Sequence, residues 1–516
     1  MSIELTGIPS GWATPGDYLE LNLGVGPAGA GTNQYVALII GNKTASGSGT
    51  VDTSIYGPDT TPSVQSETDV VAVAGAGSEA HRLWRRFRQT NKGTPVYMIF
   101  PADAAGTPGT TTVVLSNTST GSAALRCWVG DEVIDTPIAN GDLIATVGAA
   151  AVIQINSRTH LPVTVAFVTD TFTFTSKNTG PRANEIRVRM AIVNGSTATT
   201  VTPNNVATAL TSGATEDSWT NALATILPSR YYYIVSPSSN VSGTNFDDAV
   251  AQIKAQALPL TGIRQRLIAG FVGSQAAGST IAANAAINDA RVQIPWLQSA
   301  DWTAGEIAAH VAATLAIQED KIWSYNLRGF GNGVIAGQDT SQIWRIPAPF
   351  TRSAWPTTTG IETALNNGLM PIGVTGANGG TYIVWSTTTK HKNGSAFDYR
   401  SRSSHIVAVL DRWCDEFLST YSERFGGKNL ADDPKDGEPL PAQHVVTPRQ
   451  IRALITEKVF KYGNKYLKHA QKISDNAIVE RDPIVTSRVG LRIPAEVIDL
   501  LLQSMIAVDD NSSATS

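Results

Sequence analysis

Two stretches in which apolar runs alternate with helix-like segments flank residues 106–227, whose texture is quite different, and this interruption limits the folds open to the chain. Residues 34–41 (QYVALIIG) and 94–100 (TPVYMIF) are short, β-branched and aromatic, as strands buried on both faces are. Between them, residues 70–74 read as a further strand, Gly75-Ala76-Gly77 as a close strand-to-helix turn, and the segment from Ser78 as a helix. The pattern restarts after the interruption. Strands are expected at 231–237, 266–273 and 292–297, and helices at 245–257, 281–289 and 303–316. A β-α-β order of this kind requires a parallel or mixed sheet covered by helices.

The interrupting residues are rich in Thr, Ser, Val and Gly and poor in charge. Segments 111–115, 124–129, 163–167 and 171–175 have strand chemistry, and 185–189 alternates with Arg187 and Arg189 on one face. Turns recur between several of them, so a β-sandwich or small barrel inserted into the α/β part is expected. The fold class is therefore α+β and multidomain, with layered α/β parts, this inserted β-sandwich or barrel-like domain and extended segments at both ends. The expected divisions are 1–25, 26–105, 106–227, 228–350, 351–483 and 484–516.

Composition narrows the function classes. A 516-residue chain with 42% hydrophobic and 16% charged residues buries large cores and has a sparsely charged surface. Its formal net charge of -4 gives no general attraction to nucleic acid. Cys127 and Cys414 are the only cysteines, lie far apart, and read as buried small hydrophobes in a reducing compartment. The first nine residues lack the basic and apolar regions of a signal peptide, and no apolar run reaches the ~18 residues of a membrane span. Synthesis and folding in cytosol, without membrane insertion, are expected.

No nucleophile elbow, nucleotide loop, metal cluster or framed carboxylate pair stands out, so no cofactor and no catalysis are expected. Gly75-Ala76-Gly77 lacks the third glycine and the Lys-Ser/Thr of nucleotide loops. Glu306 and His310 lie four apart on one helix face, yet no second ligand joins them, and they read as a helix-surface pair.

Residues 380–417 form the most legible unit near the C-terminus. A strand at 382–389 leads to a turn at Asn393-Gly394 and a short extended return at 397–399. Ser403 or Ser404 then caps a helix carrying Ile406, Leu410, Trp413 and Phe417. Ile361 to Leu369 is expected to be a short helix, and 426–441 an exposed polar loop. Thr447-Pro448 opens another helix. If Gly463 does not break it, Lys458, Lys461, Lys465, Lys468 and Lys472 share one of its faces. Apolar strand formers stand near both chain ends: Tyr18, Leu19, Leu21 and Leu23, and Val489, Leu491 and Ile493 within 489–508.

The strand ending in Thr387-Thr388-Thr389, the turn, Tyr399-Arg400-Ser401-Arg402 and the long helix resemble the C-terminal region of contractile phage tail sheath proteins, in particular the Mu-like group. Residues 74–81, running into Leu83-Trp84-Arg85-Arg86-Phe87, are similar to that group's Gly-rich turn and first helix, and 94–100 to its next strand. Together the three stretches span most of the chain. The resemblance implies a structural subunit of a virion tail, assembled in the host cytoplasm as hexameric rings stacked helically around a tail tube. A baseplate trigger would let the rings slide into a shorter, wider lattice and drive the tube through the host envelope. The implied partners are the chain itself, the tube protein, and the baseplate and tail terminator proteins, with no direct contact to nucleic acid. The terminal apolar segments would be arms pairing with neighbouring subunits, and the five lysines would face the tube or another subunit. Two readings from other classes compete: a secreted or surface β-rich adhesin or glycan-binding protein, and a hydrolase with an unrecognised site.

Overall fold

The structure, a computed structural model, describes residues 35–502 apart from 104, 228, 239–243, 332–345, 350–351, 376–379, 395, 399–400, 436–438 and 440–441. Tyr18, Leu19, Leu21 and Leu23 lie outside the described residues. Among the described residues, eleven α-helices and several small sheets make a mixed α/β molecule.

The central sheet has six strands in the order Val292–Gln293, Arg266–Ala269, Tyr233–Ser236, Ala37–Ile40, Val96–Ile99, Ile55–Tyr56. All neighbours run parallel except the last pair. Strand alternation sends Ala37 and Ile39 to one face, under helices Glu79–Thr90 and Ala304–Lys321, and Leu38 and Ile40 to the other. That second face is covered by Thr220–Ile226, Thr244–Gln256 and Gln275–Ala282. Two strands continue into a second, four-stranded sheet: Arg266–Ala269 becomes Phe271–Val272, and Val292–Gln293 becomes Pro295–Leu297. Gly270 sits at the first of these breaks, where a Cβ would lie 1.9 Å from the Ala304 carbonyl oxygen. Only glycine lets the helix that starts at Ala304 approach this closely.

Several elements differ from expectation. Residues 70–74 belong to a helix, Glu67–Ala74, because Ser66 and Asp69 form a capping box and Val70, Val73 and Ala74 make one buried helical face. Gly75-Ala76-Gly77 is therefore a helix-to-helix turn. The expected helix at 281–289 lies earlier, at Gln275–Ala282, where Ser274 caps it. Beyond it the Asn284 and Asp289 side chains accept from Ala286 and Arg291 backbone N–H groups, which favours turns over helix. The strand expected at 382–389 is only Thr381–Ile383. Thr387, Thr388 and Thr389 follow, fully buried, and their hydroxyls donate to the carbonyls of Leu369, Ser401 and Ile287. Hydroxyl bonds thus add to the few backbone bonds that remain here, from the Thr388 N–H to the Arg402 carbonyl and from the Thr389 N–H to the Val292 carbonyl.

Within 106–227 two four-stranded sheets face each other: Thr200–Thr202, Pro108–Ser116, Thr171–Thr179, Val163–Val168, and Thr208–Ala209, Arg187–Val193, Ala123–Val129, Glu132–Ile138. Leu115, Cys127, Phe172, Phe174 and Met190 lie in their shared core. A helix the sequence reading lacked, Ile144–Asn156, packs against the edge strands of both sheets. Its Asn156 amide donates to the Val165 carbonyl at 2.8 Å and accepts from the Val165 N–H at 3.0 Å. An apolar edge strand is thereby closed to stray pairing. Trp219 and the Thr220–Ile226 helix, by contrast, pack in the core of the central sheet.

The helix Ser404–Phe425 packs through Trp413 and Phe417 with Leu454 and Val459 of Pro448–Tyr462. Its opposite side meets the central sheet through charge. Asp411 accepts from both Arg291 Nη atoms at 2.7 and 2.8 Å and from the Tyr232 hydroxyl at 3.0 Å. Asp415 accepts from Arg230 and from Tyr35, each at 2.7 Å, and also pairs with Arg264. Asp411 and Arg264 are essentially inaccessible to solvent.

Candidate functional site

The five lysines do not form one helix face. Pro448–Tyr462 ends at Gly463, which leaves helical geometry at φ -60°, ψ 138°, and Asn464 and His469 turn the chain at φ 59° and 55°. Lys458 and Lys461 stay on that helix, Lys465 and Lys468 lie in the turn, and Lys472 is on the short helix Ala470–Asp475. Four of them meet carboxylates of the same chain. Lys458 and Lys461 reach Glu416 Oε1 at 3.0 and 2.6 Å, Lys468 reaches Asp499 at 2.8 Å, and Lys472 reaches Glu496 at 2.6 Å. Lys458 is only 5% exposed. Lys465 is exposed, with its Nζ 5.1 Å from the Tyr466 ring centroid.

These contacts set the local electrostatics. Burial pushes the Glu416 carboxyl up, but hydrogen bonds from Lys461 and Lys458 outweigh it and hold the group below its ordinary range. Lys472 and His469 hold Glu496 down to about 2. The lysines are therefore ties between the 404–425 helix, the 448–475 segment and residues 496–499, and Lys461, Lys465 and Lys472 are also exposed.

Val489–Arg492 pairs antiparallel with Ile478–Arg481, Leu491 packs against the C-terminal core, and Ile493 is buried in it. The outer edge of Val489–Arg492 meets no further strand among the described residues. A two-stranded sheet is marginal by itself, and an open edge is a template for another chain.

Two further places where chemistry might be sought are filled. The central sheet reverses its strand order beside Ala37–Ile40, and open sheets of this kind bind ligands at the carboxyl ends of strands near such a reversal. Here Arg182, from the inserted β part, occupies the position. Its Nε donates to Glu79 at 2.8 Å, its Nη2 to Asp217 at 2.7 Å and to Asn42 at 3.1 Å, and its Nη1 pairs with Glu216. Burial pulls the guanidinium's pKa down, but the charges of Glu79 and Glu216 outweigh it and hold it above its ordinary value.

Glu306 and His310 are not on a surface: both are buried beneath the helix Glu79–Thr90. Glu306 pairs with Arg82 and Arg86 at 3.2 and 3.0 Å, and His310 bonds to Thr90 at 2.9 Å. Burial pushes the Glu306 carboxyl up, but Arg86 and Arg82 outweigh it and bring it to about 2. Cys127 and Cys414 are buried free thiols, pushed up by burial, Cys127 to about 12. Among the described residues no group of three or more His, Cys, Asp or Glu is placed to hold a metal, and no helix is long and apolar enough to cross a membrane.

Sequence reasoning missed Asp411, Asp415 and Arg182. The first two carried a signal, being carboxylates four apart on a helix whose apolar stripe includes Leu410 and Trp413. Arg182 carried none.

No protein-family model and no curated protein matches the chain. Among solved structures it is similar to the sheath tail protein of Desulfitobacterium hafniense, with 12% identity and a TM-score of 0.44 over 95% of this chain and 100% of that one. It is also similar to the sheath tail protein of Listeria innocua, with 11% identity and a TM-score of 0.48 over 92% and 94%. A third likeness is to the helical sheath of the anti-feeding prophage in its contracted state, with 10% identity and a TM-score of 0.45 over 97% and 99%.

Proposed function

We propose that this chain is a self-assembling structural subunit of a contractile tail sheath. The observation that carries the reading is the open edge of Val489–Arg492 at the end of a minimal two-stranded sheet, where another subunit's strand completes the ladder. The apolar N-terminal residues Tyr18, Leu19, Leu21 and Leu23 are the strand supplied, so each subunit tethers the next in a stack of rings. The order of the three sequence stretches given above supports the same reading, as does the occupation of the sheet's ligand position by Arg182. In this reading the basic strip of Lys461, Lys465, Lys468 and Lys472 faces acidic groups on a tail tube, while Lys458 serves the interior. Exposed ion pairs contribute ~0.2–1 kcal/mol each, so many of them align two cylinders without locking them together. Contraction then converts one packing of the subunit into another without fuel.

Charge reversal tests the strip. Replacing Lys461, Lys465 and Lys468 together by Glu should abolish extended sheath on purified tubes while tube-free polymers still form. Lys465→Glu alone disturbs no carboxylate contact among the described residues and should weaken tube binding most at low salt, with a shallower loss as salt rises. Normal assembly of both variants on tubes at low and moderate salt would reduce the lysines to in-chain ties.

A further inference from the structure

The corner where the inserted β part meets the central α/β part contains a histidine arranged as a proton-sensitive clasp. His81 is 1% exposed. Its Nδ1 accepts the Gly77 N–H at 3.0 Å, and its Nε2 lies 3.1 Å from Glu67 Oε1, so the neutral ring carries its hydrogen on Nε2. The turn held in this way is what the inserted part grips. Lys177 Nζ donates to the Ala76 carbonyl at 3.2 Å and to the Thr159 carbonyl at 2.6 Å. Gly77, at φ 74°, lies so close to residue 161 that a Cβ would stand 2.1 Å from the Leu161 carbonyl oxygen. The clasp therefore runs from His81 through Gly77 to the 157–162 segment.

We propose that protonation of His81 releases the 157–162 corner of the inserted β part from the turn at residues 75–78, a pH-sensitive clasp built into the fold. A second hydrogen on the ring would sit on Nδ1 and face the Gly77 N–H, donor against donor, so the bond that fixes the turn is lost. The charged groups around the ring add to this. Glu67 favours the protonated ring, while Arg85 and His160 oppose it. Arg85 also pairs with Glu67 and Glu132, and His160 and Arg158 pair with Glu132 from the inserted side. Lys177 supplies one more positive charge at the turn. A cationic His81 thus joins Arg85, Lys177 and Arg158 at one corner, with Glu67 and Glu132 opposing them. Burial lowers the ring's pKa from 6.5 to about 4. Because the folded value lies below the unfolded one, the clasp is at full strength above pH 6.5 and weakens as pH falls towards 4.

Hydrogen exchange of the full chain, corrected for the pH dependence of intrinsic rates, reads the clasp directly at residues 75–78 and 157–162. Protection there should fall with a midpoint near pH 4 while exchange in Ala37–Ile40 and the far-ultraviolet spectrum stay unchanged. His81→Asn places an uncharged acceptor near the Nδ1 position and should remove that transition. Glu67→Gln, at a side chain about half exposed and safe for folding, removes the charge that favours the protonated ring and should lower the midpoint by about one unit. An unchanged midpoint in Glu67→Gln, a persisting transition in His81→Asn, or loss of protection only together with Ala37–Ile40 would each overturn the proposal.

Discussion

Asp411→Ala should destabilise the union of the long helix with the central sheet by about 3–5 kcal/mol, the usual cost of removing one partner from a buried ion pair. Arg291 loses both of its hydrogen bonds to the carboxylate, Arg264 loses one of its two carboxylates, and the Tyr232 hydroxyl loses its acceptor. These groups have no access to water through which to recover the loss. Burial pushes the Asp411 carboxyl up, but Arg291 and Arg264 outweigh it and hold it below its ordinary value. The ionised carboxylate thus stabilises the fold above the unfolded-state pKa near ~3.9, and that contribution is lost as pH falls further. Urea unfolding followed through Trp413 should show the helix unit melting at lower denaturant. Asp411→Asn keeps the shape without the charge and should lose less. A midpoint within error of the parent for Asp411→Ala would mean that apolar packing alone holds the helix.

The second large effect is expected at Arg182. Arg182→Met leaves Glu79, Glu216 and Asp217 buried around an apolar side chain, again at a cost of about 3–5 kcal/mol. Arg182→Lys should fall between, since an ammonium cannot span three carboxylates as the planar fork does. The pH dependence separates charge from packing. Burial already raises the Glu216 carboxyl and Arg182 opposes that rise, so without Arg182 the variant's deficit should shrink as pH falls from 7 to 5. A deficit that is independent of pH would point to lost packing, and no deficit at all would contradict the role given to Arg182.

What the sequence disclosed follows from which interactions are local. The strands Ala37–Ile40, Val96–Ile99 and Tyr233–Ser236 announce themselves because both faces are buried and the residues are continuously apolar. The helix Ser404–Phe425 is legible from its apolar stripe, and Ala304–Lys321 from the capping box at Thr303 and Glu306. Val70 to Ala74 misled because a short apolar run serves strand and helix equally, and the cap at Ser66 settled the matter. The lysine periodicity misled because a helical repeat has meaning only as far as the helix extends, and Gly463 ends it. The two ionic locks were hidden for a different reason. Arg182 and Asp217 are 35 residues apart, Asp411 and Arg291 are 120 apart, and long-range pairing leaves no local pattern.

Assembly through the chain's own edges can be seen by negative-stain electron microscopy of the purified protein. Hollow, sheath-like cylinders built of stacked rings are expected, formed without nucleotide, metal or other added ligand. A population of monodisperse monomers at every concentration and salt condition, with no polymer, would contradict it.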